Sequence, residues 1–215
     1  MINPWTNFPN QLPFVLNCDS VPVAAFNQKQ GALYQLQLGY IPEPFIGNLD
    51  APVVALNLNP GLDPRDLPYH CQNPWKQILI DNLTHQYSGF YYLDPVMTPL
   101  LGASWWNKKL KQLIQNTSLQ RVNKGLLVIE QHGYHSSKYK SLNVCSQLYN
   151  FFLVMEALDR NAIIVIMRGK SEWYKKVPCL EHYAKTGNVL EMNSPQNTSF
   201  SPGNINGYSK IVAAL

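Results

Sequence analysis

The stretch Ala51-Pro-Val-Val-Ala-Leu-Asn-Leu-Asn-Pro-Gly-Leu62 decides how this chain is read. Val53 to Leu56 is a short apolar run without polar alternation, the pattern of a strand buried on both faces of a parallel sheet. It stops at Asn57-Leu58-Asn59-Pro60-Gly61. Pro60 lacks an amide hydrogen and drives Asn59 away from helical angles. Gly61 is expected to form a tight bend that a side chain would forbid. A carboxamide is thereby expected at the carboxyl end of a central strand, where open α/β sheets bind their ligands.

Further runs of the same kind follow. Leu126 to Ile129 predicts a second buried strand and Ala162 to Met167 a third. Asn188 to Met192 gives a weaker fourth. Between them, apolar residues recur at helical spacing in Trp75 to Tyr87, Ala103 to Gln115 and Val144 to Leu158, the last with Leu148, Phe151, Phe152, Met155 and Leu158 as its apolar positions. A short closing helix carries Ile205, Tyr208, Ile211 and Leu215. Strands alternating with amphipathic helices predict a single three-layer α/β domain over residues 1–215, with a central four-stranded parallel sheet. Residues 1–47, rich in Pro, Asn and Gln, read as an irregular N-terminal arm packed on it, with a short helix around Gln28 to Leu36 and a proline-stiffened approach, Tyr40 to Gly47, to the first strand.

Composition narrows the function classes. Hydrophobic residues make up 46% of the chain, which excludes a disordered polymer, and no apolar run is long enough to span a bilayer. The net charge of +4 suits a polyanionic partner without requiring one. Cys18, Cys71, Cys145 and Cys179 form no Cys-x-x-Cys pair, and the histidines show no metal-ligand spacing, so no metal and no cofactor are expected. With no basic-then-apolar leader, reduced thiols and a cytoplasmic location are expected.

The segments leaving the strands are each more polar than the strand before: Asn57 to Leu62, Glu130 to Ser137, Arg168 to Lys170, and Asn193 to Asn204. In a parallel sheet these exits converge. Asn59-Pro60-Gly61 after an apolar strand resembles the first motif of the uracil-DNA glycosylase superfamily, closest to its mismatch-specific and single-strand-selective branches. Asn193-Ser-Pro-Gln-Asn197, continuing to Ser201-Pro-Gly-Asn204 and a final helix, is similar to that superfamily's second motif. The likeness is one of order and spacing over residues 45–215, with only the first motif close to literal.

The resemblance implies a DNA-base glycosylase acting by water attack on a base flipped out of DNA. Asn59 would hold the water, and the Asn193 to Asn197 loop would clamp flanking phosphates or the leaving base. One of Phe90, Tyr91 and Tyr92 would form the stacking floor, and Glu130 would read the base edge beside Asn57 and Gly61. Ser194, Ser201, Arg168 and Lys170 would face the backbone phosphates. Two departures stand out. The second motif has Asn193 or Ser194 where relatives carry a histidine, so His135 or His132 is left to supply a donor. Glu130 stands where relatives carry an amide. An ionised carboxylate only accepts, which predicts preference for an amino-bearing or modified base; the alternative is a structural ion pair of Glu130 with Arg168. Against the enzyme stands a binding module of the same fold without chemistry. Some other hydrolase or transferase on a similar sheet is disfavoured by the lack of a Gly-x-Ser-x-Gly elbow or a glycine-rich phosphate loop.

Overall fold

The computed structural model describes residues 1–215. Five strands, β1 (Phe45–Gly47), β2 (Val53–Leu56), β3 (Leu126–Ile129), β4 (Ile163–Ile166) and β5 (Val189–Glu191), lie in the spatial order β1-β3-β2-β4-β5. The last four are mutually parallel, whereas β1 runs antiparallel to β3. Ala55 of β2 sits between Val128 and Val165, and every residue of β2 and β3 is buried. A strand buried at both odd and even positions must be covered on both faces, which is why these stretches carry no alternation.

Nine helices accompany the sheet: α1 (Asn17–Lys29), α2 (Leu67–Cys71), α3 (Trp75–Leu83), α4 (Leu101–Asn116), α5 (Leu119–Gly125), α6 (Gln147–Asp159), α7 (Lys170–Lys176), α8 (Cys179–Ala184) and α9 (Tyr208–Ala214). None is long and apolar enough to cross a membrane. From β2 the chain crosses to one side to form β3, then to the other to form β4. The carboxyl ends around β2 are therefore a topological switch point, where such sheets open a crevice.

The N-terminal segment departs from expectation. It contains α1, which ends at Lys29, where a helix over Gln28 to Leu36 was expected. Pro22 interrupts the helical periodicity that would reveal it. The buried Asp19 carboxylate ties α1 inward, accepting from Tyr134 Oη at 2.7 Å and from the Ser146 amide at 3.1 Å. The segment ends in β1, which makes the sheet five-stranded and mixed. A three-residue strand that follows Pro44 and ends in the left-handed Gly47 is too short to show a strand pattern. The outer rim of β1 meets no further strand: Asn82 on α3 donates through Nδ2 to Phe45 O at 2.7 Å and accepts at Oδ1 from Gly47 N at 3.5 Å. One core of 54 buried residues reaches from Trp5 to Leu215.

The longer helices lie close to their expected places. The buried face of α6 is rotated, however: Tyr149, Leu153, Val154 and Ala157 point inward, while Leu148 and Met155 are exposed.

Candidate functional site

The crevice at the carboxyl ends holds a cavity of about 360 Å³, within the usual range for ligand sites of roughly 300–1,000 Å³. Asn57, Asn59, Gly61, Glu130, His135 and Arg168 all line it. They come from the exits of β2, β3 and β4, so three separate strand ends meet as the polar segments suggested. Phe90 and Tyr91 do not reach it. Both are fully buried, with Phe90 edge-on to Trp106 at 5.0 Å, and they serve the core. The third aromatic, Tyr92, lines the cavity together with Trp105.

Asn193, Ser194, Asn197 and Ser201 lie outside the cavity. Their loop is held largely by its own hydrogen bonds, including Asn204 Oδ1 accepting from Ser194 N at 3.0 Å. Arg168 Nε ties it to the crevice wall by donating to Pro195 O at 3.2 Å, and Phe200 N ties it to α4 by donating to Lys109 O at 2.9 Å. Lys170 is paired with Glu191 at 2.8 Å.

The Asn59 amide is fixed. Its Nδ2 donates to Pro60 O at 2.9 Å, Ser136 O at 3.2 Å and Ser136 Oγ at 3.0 Å, which leaves Oδ1 as the group able to accept from a ligand. Gly61 is not needed for its backbone angles. A Cβ there would meet no atom within 4 Å, and its φ is not in the left-handed region. Its contribution is a carbonyl, 2.6 Å from His135 Nδ1. The Nε2 of the same ring lies 3.0 Å from Ile41 O. Both ring nitrogens therefore face protein carbonyls, one on each of two loops. His135 is thus a clamp between two loops, with no nitrogen left over as donor to a ligand. His132 is fully buried against Tyr139, outside the cavity, and burial pushes it down to about 4.

Glu130 does not pair with Arg168. Its Oε1 accepts from Asn57 Nδ2 at 3.1 Å, while Glu130 Oε2 and Asn57 Oδ1 have no partner. Trp173 Nε1 donates to Asn57 O at 2.8 Å and fixes that strand exit from behind. Burial pushes the Glu130 carboxyl up to about 8; the nearby Glu43 adds to this, and the Asn57 hydrogen bond and Arg168 act against it. At neutral pH Glu130 is therefore a neutral acid, with one O–H to donate and one oxygen to accept. A carboxyl held neutral both donates and accepts, unlike the ionised acceptor assumed in expecting a preference for amino-bearing bases.

Glu43 is the site residue that the linear sequence concealed. Because β1 is antiparallel, its leading end lies at the carboxyl edge of the parallel strands. Glu43 N donates to Gly133 O at 2.8 Å and Glu130 N to Pro44 O at 2.9 Å, which seats Glu43 in the crevice wall. Its Oε1 accepts from Tyr92 Oη at 2.8 Å. Tyr92 can reach it because Gly102, in the first turn of α4, lies flat against the phenol: a Cβ there would come within 2.5 Å of the ring. Asp66 accepts from the Leu101 and Gly102 amides at 2.9 and 3.4 Å, and so caps the same turn. Burial raises Glu43, while His135 and the Tyr92 and Tyr91 hydroxyls work the other way.

Glu43, His70 and His135 bring one potential metal-ligand atom each within 4.8 Å of one another. Their hydrogen bonds disfavour a metal cradle. His70 Nδ1 accepts from Ile41 N at 3.0 Å, which puts the proton of the neutral ring on Nε2, and both His135 nitrogens face carbonyls. A cation would have to displace these bonds before finding a lone pair.

Two cations flank the Trp105 wall of the cavity. Arg168 lies over the Trp105 ring at 6.0 Å and Lys109 at 5.5 Å, cation–π distances that fix the indole between two charges. A shallower hollow of about 270 Å³ adjoins Lys109 and is lined also by Lys108, Lys111, Ser199 and Ser201. None of these cations forms a salt bridge; the two ion pairs of the molecule are Arg65–Asp63 and Lys170–Glu191. Desolvation, with Arg168 and Lys108 nearby, pulls Lys109 down. No protein family, curated protein or solved structure matches this chain.

Proposed function

We propose that the chain is a DNA-base glycosylase-like hydrolase that cleaves the N-glycosidic bond of a flipped base, a divergent relative of the uracil-DNA glycosylases. The observation that carries this reading is the meeting of Asn59, Asn57 and Glu130 around one cavity with an aromatic wall. A base-excising site needs fixed polar groups for the base edge and an acceptor that orients water. Asn57 Oδ1 and Glu130 Oε2 supply the first as an unpartnered pair, and Asn59 Oδ1 supplies the second. With Glu130 protonated, the pair offers one acceptor and one donor. That pattern complements a lactam edge, an N–H beside a C=O, better than an amino-bearing edge.

The uncompensated cations along α4, with Trp105 between them, fit a phosphate backbone leading to the cavity mouth. The test is base release from oligonucleotides carrying uracil or other lactam-edged bases, and cytosine derivatives, single- and double-stranded, read as alkali-labile sites. Release of a lactam-edged base that Asn59→Ala abolishes supports the reading. Binding without release would leave a nucleic-acid-binding module on the same scaffold.

A further inference from the structure

We propose that Glu43 is the general base of this site, working against Glu130 as the acid; this rests on the glycosylase reading above. That reading takes only Asn59 as the group beside the water, and a carboxamide can orient water but cannot accept its proton. Two deeply buried carboxyl groups line the same cavity, 4% and 3% exposed, and their surroundings differ. Burial raises both carboxyls, but Glu43 alone has a hydroxyl donor on its carboxylate, Tyr92 Oη at 2.8 Å, and has His135 beside it, and both work against that rise. Asp66 acts in the opposite sense, the charge of Glu43 itself helps to raise Glu130, and the neutral His70 ring completes the surroundings. Glu130 has one neutral amide donor on Oε1 and nothing on Oε2. Two carboxyls in one cavity with unequal environments divide into base and acid.

His135 sets their placement. Its two nitrogens bridge Gly61, two residues after Asn59, to Ile41, two residues before Glu43. The turn that presents Asn59 is thereby held against the segment that presents Glu43.

The step balances without a metal or redox partner. Water held by Asn59 gives its proton to Glu43, and its oxygen bonds to the sugar carbon. The carbon–nitrogen bond breaks with its electron pair going to the base. Glu130 gives its proton to the departing base, and solvent returns the proton from Glu43 to Glu130.

The decisive experiment is single-turnover base release against pH for the whole protein and for Glu43→Gln. The expected result is a loss of about 100-fold or more, no acidic limb in the pH profile, and oligonucleotide affinity within about twofold of the parent. Tyr92→Phe keeps the carboxylate but removes its hydrogen bond, so the acidic limb should move to higher pH, which a purely structural role would not produce. A Glu43→Gln protein that retains the parent's rate overturns the inference and leaves the glycosylase reading standing. A parent that releases no base overturns both. Should Glu43→Gln fail to fold, an unmoved limb in Tyr92→Phe overturns the inference by itself.

Discussion

Glu130→Gln tests the central electrostatic claim without any substrate. Burial raises this carboxyl from 4.5 to about 8. Between those values the folded chain holds a proton that the unfolded chain has released, so stability falls as pH rises. At ~1.4 kcal/mol per pH unit, the whole interval amounts to on the order of 5 kcal/mol. Part of it is masked below pH 6.5. There His132, pushed down to about 4, and His70, also held low by burial, make stability rise with pH, because the unfolded chain binds the extra protons. Near pH 8 these histidines are neutral in both states, and at lower pH they act in parent and variant alike, as does the raised Glu43 carboxyl, so the difference between the two proteins reports Glu130. Glutamine keeps the Oε1 acceptor for Asn57 and has no proton to lose. Urea denaturation at pH 6.5, 7.2 and 8 should therefore show the variant gaining roughly 2 kcal/mol on the parent across the series. Parallel stability curves would refute the argument, since they would mean that Glu130 titrates alike in both states.

Four further outcomes are expected. Asn59→Asp removes the N–H donors that face Pro60 O, Ser136 O and Ser136 Oγ, and should cost about 1–3 kcal/mol at pH 7 in a denaturant titration. Charge reversal of Lys108, Lys109 and Lys111 should weaken single-stranded oligonucleotide binding and flatten its log–log salt slope by about two, seen by fluorescence anisotropy; an unchanged slope removes α4 from the phosphate path. Gly102→Ala should lower stability by about 1–3 kcal/mol through overpacking on Tyr92. Gly61→Ala, with open space at its Cβ, should stay within about 0.5 kcal/mol of the parent by thermal melting.

Central strands were readable because burial on both faces leaves an unmistakable mark: Val53 to Leu56 and Leu126 to Ile129 lie where their apolar runs place them. The exits of those strands could be named for the same reason, and Asn57, Asn59, Glu130, His135 and Arg168 share one cavity. Residues that enter the site from the edge of the sheet could not. Glu43 sits between two prolines in what reads as a linker, and only the antiparallel pairing of Phe45 with Ile129 carries it to the crevice. Tyr92 differed from Phe90 and Tyr91 in no feature of the linear chain; its place in the cavity wall goes with its close approach to Gly102, ten residues later. The 193–201 loop, expected as a clamp on phosphates or the leaving base, lies outside the cavity, bonded partly to itself and anchored in the core by Phe200. The ionisation of Glu130 was also out of reach, because it depends on how much protein surrounds the carboxyl.

The carboxamide of Asn82 on the rim of β1 has a consequence for how copies of this chain behave toward each other. A bare sheet margin presents a row of peptide groups onto which any extended segment can zip, the first event in domain exchange and fibril growth. Here one side chain occupies the rung formed by Phe45 O and Gly47 N. It acts as a counterfeit neighbour that ends the ladder after three residues. The segment that delivers Glu43 is thus also sealed against strand invasion, so crowding of copies at that margin does not pull the cavity wall apart.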